Sequence, residues 1–282
     1  MELLRYYETR NLAKDYDKYR PSYSQEVAEK IMKEVHLQIN SSAPFTKLGK
    51  MLDVGCGGGQ ATCLFSPYFE SVLGIDISAG QISVAIEKNN EKNVQFQLVN
   101  SGKFPLPDNS IEFVNCATAA HWLDITLFES ECERVLKRNG CVALYAYLHK
   151  EVIDMNTGRM LALEHDYRQA IRVFFKAIYA HPRNRLVEKR YEPIFDQLAN
   201  PTKRWVENIT FVKYDTFHTF RGYFDTIGEY RNTMNNRDTG DKDPLDEMMN
   251  RLKEIWELND KQDNEIQLKV IYEVNTIMFH KE

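Results

Sequence analysis

The chain has 282 residues, 43% apolar and 27% charged, with 36 Lys and Arg against 41 Asp and Glu for a formal charge of −5. That balance excludes an intrinsically disordered chain, which needs low hydrophobicity with high net charge. It also argues against a protein held mainly by nucleic-acid phosphates, which needs a basic surplus.

No apolar run approaches the length of a bilayer span, and the first residues lack the apolar core of a secretory leader, so a cytoplasmic protein with no membrane role is expected. The five cysteines, Cys56, Cys63, Cys116, Cys132 and Cys141, show no CxxC spacing and read as reduced thiols. No metal is expected. The 15 Tyr and 15 Phe are the one unusual count.

Residues 1–25 are polar and tyrosine-rich and end in Arg20-Pro21-Ser22-Tyr23. The spacing of Val27, Ile31 and Val35 behind a capping Ser24 predicts a helix over 24–38, followed by a loop over 40–50. Short apolar runs then predict strands at 50–55, 71–77, 94–99, 111–117 and 141–148. Helical patterns lie at 60–68, 78–90 and 126–137, the last closed by Asn139-Gly140. This alternation implies βαβ units and a parallel sheet.

After residue 150 the rhythm changes. Helices are predicted at 157–180 (with Leu161, Leu163, Tyr167 and Phe174 on its apolar face), 186–199, 216–230 and 244–258. Strands are predicted at 206–214 and 266–274. The expected fold is α/β: a Rossmann-like, seven-stranded, mostly parallel sheet with helices on both faces. A mostly helical insertion follows its fifth strand. The expected division is 1–40 as N-terminal lid and helix, 41–150 as cofactor core, and 151–282 as substrate-covering insertion with closing antiparallel strands.

The strongest motif is Asp53-Val54-Gly55-Cys56-Gly57-Gly58-Gly59-Gln60, where the first strand meets its helix. Glycines there admit close approach of a ligand, and a helix N-terminus offers unpaired N–H groups. A dinucleotide fingerprint would need a third glycine where Gln60 stands. Asp76, ending the second strand, can accept two hydrogen bonds from a ribose diol, which suits NAD or a methyl-donor nucleoside equally. A tight turn with a chance acidic residue is the plainer alternative.

Four blocks in order, DVGCGGGQ, GIDIS, LPDNSIEFV and ERVLKRNGCVAL, cover residues 50–148 and resemble the class I S-adenosylmethionine-dependent methyltransferases. Tyr19-Arg20-Pro21-Ser22-Tyr23, Ala120-His121-Trp122 and Gly222-Tyr223 with Tyr230 are similar to the small-molecule branch that includes trans-aconitate methyltransferases.

The resemblance implies S-adenosylmethionine as cofactor. Gly55 and Gly57 would border its methionine part, beside Gln60. Asp53 would orient its amino group or, alternatively, stabilise the turn. Asp76 would hold the ribose, and Ile77 would flank the adenine. Ser101 and Gly102 would serve the adenine edge, where Lys103 replaces the family's usual glutamate. Ala117 lies at the end of the fourth strand, by the transferred methyl. Tyr16, Tyr19 and Tyr23 with Arg20 resemble a lid, Tyr19 and Arg20 touching the cofactor.

His121 is the candidate catalytic residue, as a proton acceptor or a ligand-facing group; a structural hydrogen bond is the alternative. Trp122, Tyr147, Tyr223 and Tyr230 would line the substrate chamber, or pack in the core. The implied partner is a small, acidic methyl acceptor, with methylation of a carboxylate oxygen favoured over an amine or thiol. A non-catalytic cofactor-binding regulator is the other reading. Asp225-Thr226-Ile227-Gly228 departs from the branch's Arg-Thr-Trp-Ser, so the resemblance does not carry aconitate itself.

Overall fold

A computed structural model describes residues 10–39, 47–161, 165–238 and 240–282. Most of the expected 40–50 loop, and Leu163, lie outside the described residues.

The first half of the chain contains α1 (Arg10–Tyr19), α2 (Gln25–Ile39), β1 (Leu48–Val54), α3 (Gln60–Phe65), β2 (Phe69–Asp76), α4 (Ala79–Lys88) and β3 (Val94–Leu98). Next come β4 (Ile111–Ala117), α5 (Ile125–Val135) and β5 (Leu136–Asp154). Local chemistry starts these helices where they start. The Ser78 hydroxyl accepts from Gln81 N–H to open α4, and Asp124 accepts from Leu127 N–H to open α5.

The second half contains α6 (His165–Ala177), α7 (Asn184–Glu188), α8 (Glu192–Gln197), β6 (Arg204–Thr216), α9 (Phe217–Asp225), α10 (Gly228–Asn235), α11 (Pro244–Trp256) and β7 (Gln267–His280). Among the described residues seven strands form one sheet in the order β3-β2-β1-β4-β5-β7-β6. β1 to β5 pair in parallel, while β7 runs antiparallel to both β5 and β6. The chain order reverses beside β1, which places a crevice at the carboxyl ends of β1 and β4.

Side chains alternate across this sheet with period two. Cys141, Ala143, Tyr145 and Tyr147 enter one buried cluster, with α2, α9 and α11. Val142, Leu144 and Ala146 enter the other, with α5 and Tyr191. Both faces are covered, as the apolar runs required. Among the described residues no helix is long and apolar enough to cross a membrane.

Several boundaries differ from the sequence reading. The tyrosine-rich start contains a helix, α1, with Ala13 fully buried. α5 ends at Val135, not at Asn139-Gly140, because buried Leu136 already pairs with Ile111 in the sheet. Among the described residues the helix expected from 157 begins at His165. Asp154 accepts from Asn156 N–H and Thr157 Oγ1, Gly158 adopts φ +72°, and Met160 folds back to bridge Ile153.

The helix expected over 186–199 breaks at Arg190 and Tyr191, both left-handed, with φ +55° and +62°. The 216–230 helix breaks at Thr226–Ile227. The helical material is also divided: α6, α7 and α8 precede β6, whereas α9, α10 and α11 follow it.

Candidate active site

The loop from Gly55 to Gly59 crosses the ends of the central strands. The N–H groups of Gly55 and Cys56 donate to the Ile75 carbonyl at 2.9 and 3.0 Å, bending the loop toward β2. Gly55 has φ +68°, and a Cβ there would lie 2.5 Å from the Ala119 methyl. Only glycine serves at that point. Asp76 Oδ2 accepts from Gly57 N–H at 2.9 Å and Oδ1 from Ser78 N–H at 2.8 Å. These two amides fix the orientation of the carboxylate at the mouth of the crevice.

A cavity of about 610 Å³ opens from this loop, within the range of small-molecule sites. Gly55, Gly57, Asp76 and Ile77 line its first part, with Ser101 and Gly102 at the end of β3. Arg20, His121, Trp122, Tyr147 and Tyr223 line the remainder. These eleven expected residues therefore share one space.

The other expected residues do not line it. Asp53, Gln60 and Ala117 face a smaller pocket of about 70 Å³ behind the glycine loop, shared with Tyr16 and Arg20. Asp53 is fully buried. It accepts from Thr62 Oγ1 at 2.6 Å and Asn115 Nδ2 at 2.8 Å, tying β1 to α3 and β4. Burial pushes its carboxyl up to about 6 against the pull of those two hydrogen bonds. Gln60 donates to Asp17 Oδ1 at 3.1 Å, on α1.

Tyr19 packs against Gly222 instead of entering the cavity, while Tyr16, one turn before Arg20, lines it. Positions 16 and 20 lie about 40° apart around the helix, whereas 19 lies about 100° from 20, on the other side of 16. Tyr230 lies outside too. Its hydroxyl donates to Asp243 Oδ2 at 2.9 Å, at the start of α11.

α1 lies between two parts of the molecule. On the core side Asp17 pairs with Lys88, and Lys14 with Glu87 at 3.4 Å. On the other side Arg20 Nε donates to Thr226 Oγ1 at 2.9 Å, and Arg231 pairs with Asp15 at 3.3 Å. The Arg20 guanidinium lies over the rings of Tyr16 and Tyr223, at 4.9 and 4.3 Å.

His121 sits in the 3₁₀ turn Ala120–Trp122 after β4 and is buried. Its Nδ1 is 2.9 Å from the hydroxyl of Tyr191. Burial, helped by the charges of Arg183 and Arg20, pushes its pKa down to about 3, so the ring is neutral near pH 7.

A second histidine, His149, also lines the cavity. Its Nδ1 meets Tyr167 Oη at 3.0 Å, and its Nε2 is buried without a partner among the described residues. Burial, then Arg20 and Lys213, lower it to about 3 as well.

Sequence reasoning did not single out His149, nor Arg168 and Arg172 of α6, which also line the cavity. The i, i+4 spacing of the two arginines was the available signal. What it lacked was the helix's orientation over the sheet.

Residues 52–144 match the family model described as a methyltransferase domain. A Dictyostelium discoideum protein named as a methyltransferase is 27% identical over 250 residues, covering 89% of this chain and 86% of that protein. A Saccharomyces cerevisiae protein named as an S-adenosylmethionine-dependent methyltransferase is 30% identical over 144 residues. That match covers 49% of this chain and 46% of the yeast protein. In fold, a structure from Anaeromyxobacter dehalogenans, described as a type II methyltransferase, superposes with a TM-score of 0.63 at 21% identity. It covers 93% of this chain and 98% of that one.

Proposed function

Taking as premise that the chain is a class I S-adenosylmethionine-dependent methyltransferase, we propose that its acceptor is a small, acidic and partly apolar molecule, methylated on a carboxylate oxygen. The observation that carries this reading is the pair of exposed arginines Arg168 and Arg172 in the lining of the shared cavity. Arg20, Arg168, Arg172 and Arg190 line it.

Five acidic residues share the lining, Asp76, Asp124, Glu188, Glu229 and Glu273, and four of them are bonded to other groups. Asp76 holds two backbone amides, Asp124 caps α5, and Glu273 accepts from Arg190 at 2.8 Å. Glu229 accepts from Asn184 Nδ2 at 2.8 Å. Arg168 and Arg172, one helical turn apart and both exposed, suit an anionic group entering from solvent. Trp122, Tyr147, Tyr223 and Phe175 give the same cavity an apolar wall.

The cofactor supplies an activated methyl group on a sulfonium sulfur. Asp76 would hold its ribose, Gly55 and Gly57 its amino-acid end, and Ser101 with Gly102 its base. The remaining task of this chain is alignment and exclusion of water. α1 serves as a strap over that space, with Tyr16 and Arg20 as its inner face.

A panel of carboxylic acids, amines and thiols, assayed with methyl-labelled S-adenosylmethionine, tests the reading. Label is expected as a base-labile ester on an acid. The Arg168→Gln, Arg172→Gln double variant should raise KM for that acid more than tenfold with kcat little changed. Transfer only to amines or thiols would refute the carboxylate acceptor.

A further inference from the structure

Building on the methyl-transfer reading above, we propose that Tyr191 holds His121 as the neutral Nε2–H tautomer, making His121 a hydrogen-bond donor to an anionic acceptor oxygen rather than a proton-accepting base. Tyr191 is wholly buried, and its hydroxyl lies 2.9 Å from His121 Nδ1. No bulk water competes for that contact.

A phenol has one proton to give, and a neutral imidazole has one N–H and one bare nitrogen. Among the described residues the one hydrogen bond of the Tyr191 hydroxyl is to His121 Nδ1, so the phenol proton has that nitrogen as its acceptor. The opposite tautomer would put a proton on Nδ1 and leave the phenol proton buried without an acceptor, a loss of about 1–3 kcal/mol. With Nδ1 accepting, the ring proton sits on Nε2, the nitrogen left to serve the cavity that His121 lines.

The backbone around this pair is specialised. Arg190 and Tyr191 are consecutive left-handed residues, a costly state for side chains with a Cβ. Arg190 is anchored to Glu273 on β7, and its neighbour's ring is sent into the core. Arg183 donates to the carbonyls of His121 at 3.4 Å and Leu123 at 3.2 Å, fixing the turn that carries the imidazole. Tyr191 acts through His121 and is a positioning residue.

The chemistry agrees with a donor. A carboxylate has no proton to lose. Its oxygen lone pair forms the new O–C bond as the C–S bond breaks, and that bond's electron pair returns to sulfur. No proton is transferred, so a base has no task. A fixed N–H can orient the carboxylate through an oxygen lone pair. The low basicity that burial gives His121 points the same way.

The test is nitrogen-15 NMR of the full chain with labelled histidine, His121→Asn identifying the resonances. The wild type is expected to show a bare Nδ1 and a protonated Nε2, unchanged from pH 8 to pH 5. Tyr191→Phe keeps the ring and should shift both nitrogens toward the average of two tautomers. A wild-type spectrum with the proton on Nδ1, a ring that titrates in that range, or an unchanged spectrum in Tyr191→Phe would overturn the proposal. Calorimetry with S-adenosylhomocysteine tests the underlying reading separately: absence of binding would sink methyl transfer and leave the tautomer result standing.

Discussion

Arg20 and Thr226, 206 positions apart in sequence, are joined by a 2.9 Å hydrogen bond from Nε to Oγ1. It is a direct link from α1 to the helical region around α9, and Arg20 lines the cavity beneath.

If α1 controls passage to that cavity, Thr226→Val should loosen it without emptying the core, since valine fills the same volume. A hydrogen bond to a charged group contributes about 1.5–3 kcal/mol. Stopped-flow release of S-adenosylhomocysteine should therefore speed up about tenfold or more. An unchanged release rate would show that the helix does not gate the site.

Two glycines in one loop should respond differently to alanine. Gly57 has φ +54° but no heavy atom nearer than 3.8 Å to a built Cβ, so Gly57→Ala carries the left-handed cost of about 1–2 kcal/mol. Gly55→Ala adds the 2.5 Å collision with Ala119 and should lose several kcal/mol more. Urea unfolding of the two variants separates them; equal losses would contradict the packing.

Tyr230→Phe removes the bond to Asp243 at the start of α11 but no cavity-lining group. The expected result is a stability loss of about 1 kcal/mol with unchanged S-adenosylhomocysteine affinity. Calorimetric weakening beyond threefold would place Tyr230 in the site after all.

Stability should fall as the solution is acidified from pH 7 to pH 5. His121 and His149 are held at about 3 when folded, below the 6.5 of an ordinary histidine, so the unfolded chain binds two more protons in that range. Asp53 works oppositely: at about 6 folded against 3.8 unfolded, it favours the folded state as pH drops from 6 to 4. The net of one proton gives about 1.4 kcal/mol per pH unit near pH 5 from these three groups. His149→Gln should remove most of that slope. A stability that rises from pH 7 to pH 5 would refute the assignment.

The sequence predicted the parallel core well because its strands are short and rich in apolar residues, and glycines or capping side chains mark several of the turns between them. That Gly55, Gly57 and Asp76 line one space was legible for that reason: they are neighbours in one βαβ unit. Tyr19 and Tyr16 were not distinguishable, since only the rotation of α1 against α9 decides which tyrosine faces inward. Tyr191 gave no signal. It lies between α7 and α8, and only the folded chain brings its hydroxyl to His121, 70 positions away.

The sequence by itself determined the alternation of strands and helices through β5, the glycine loop and the family these motifs resemble. Local residue types fix such features, because periodicity, caps and turns act over a few positions. Only the tertiary structure decided which groups share the cavity. Arg20 meets Tyr223, His121 meets Tyr191, and Arg168 and Asp76 line one cavity only once distant segments are packed at one crevice. Their separation along the chain leaves no local pattern, so their physical relationship exists only after folding.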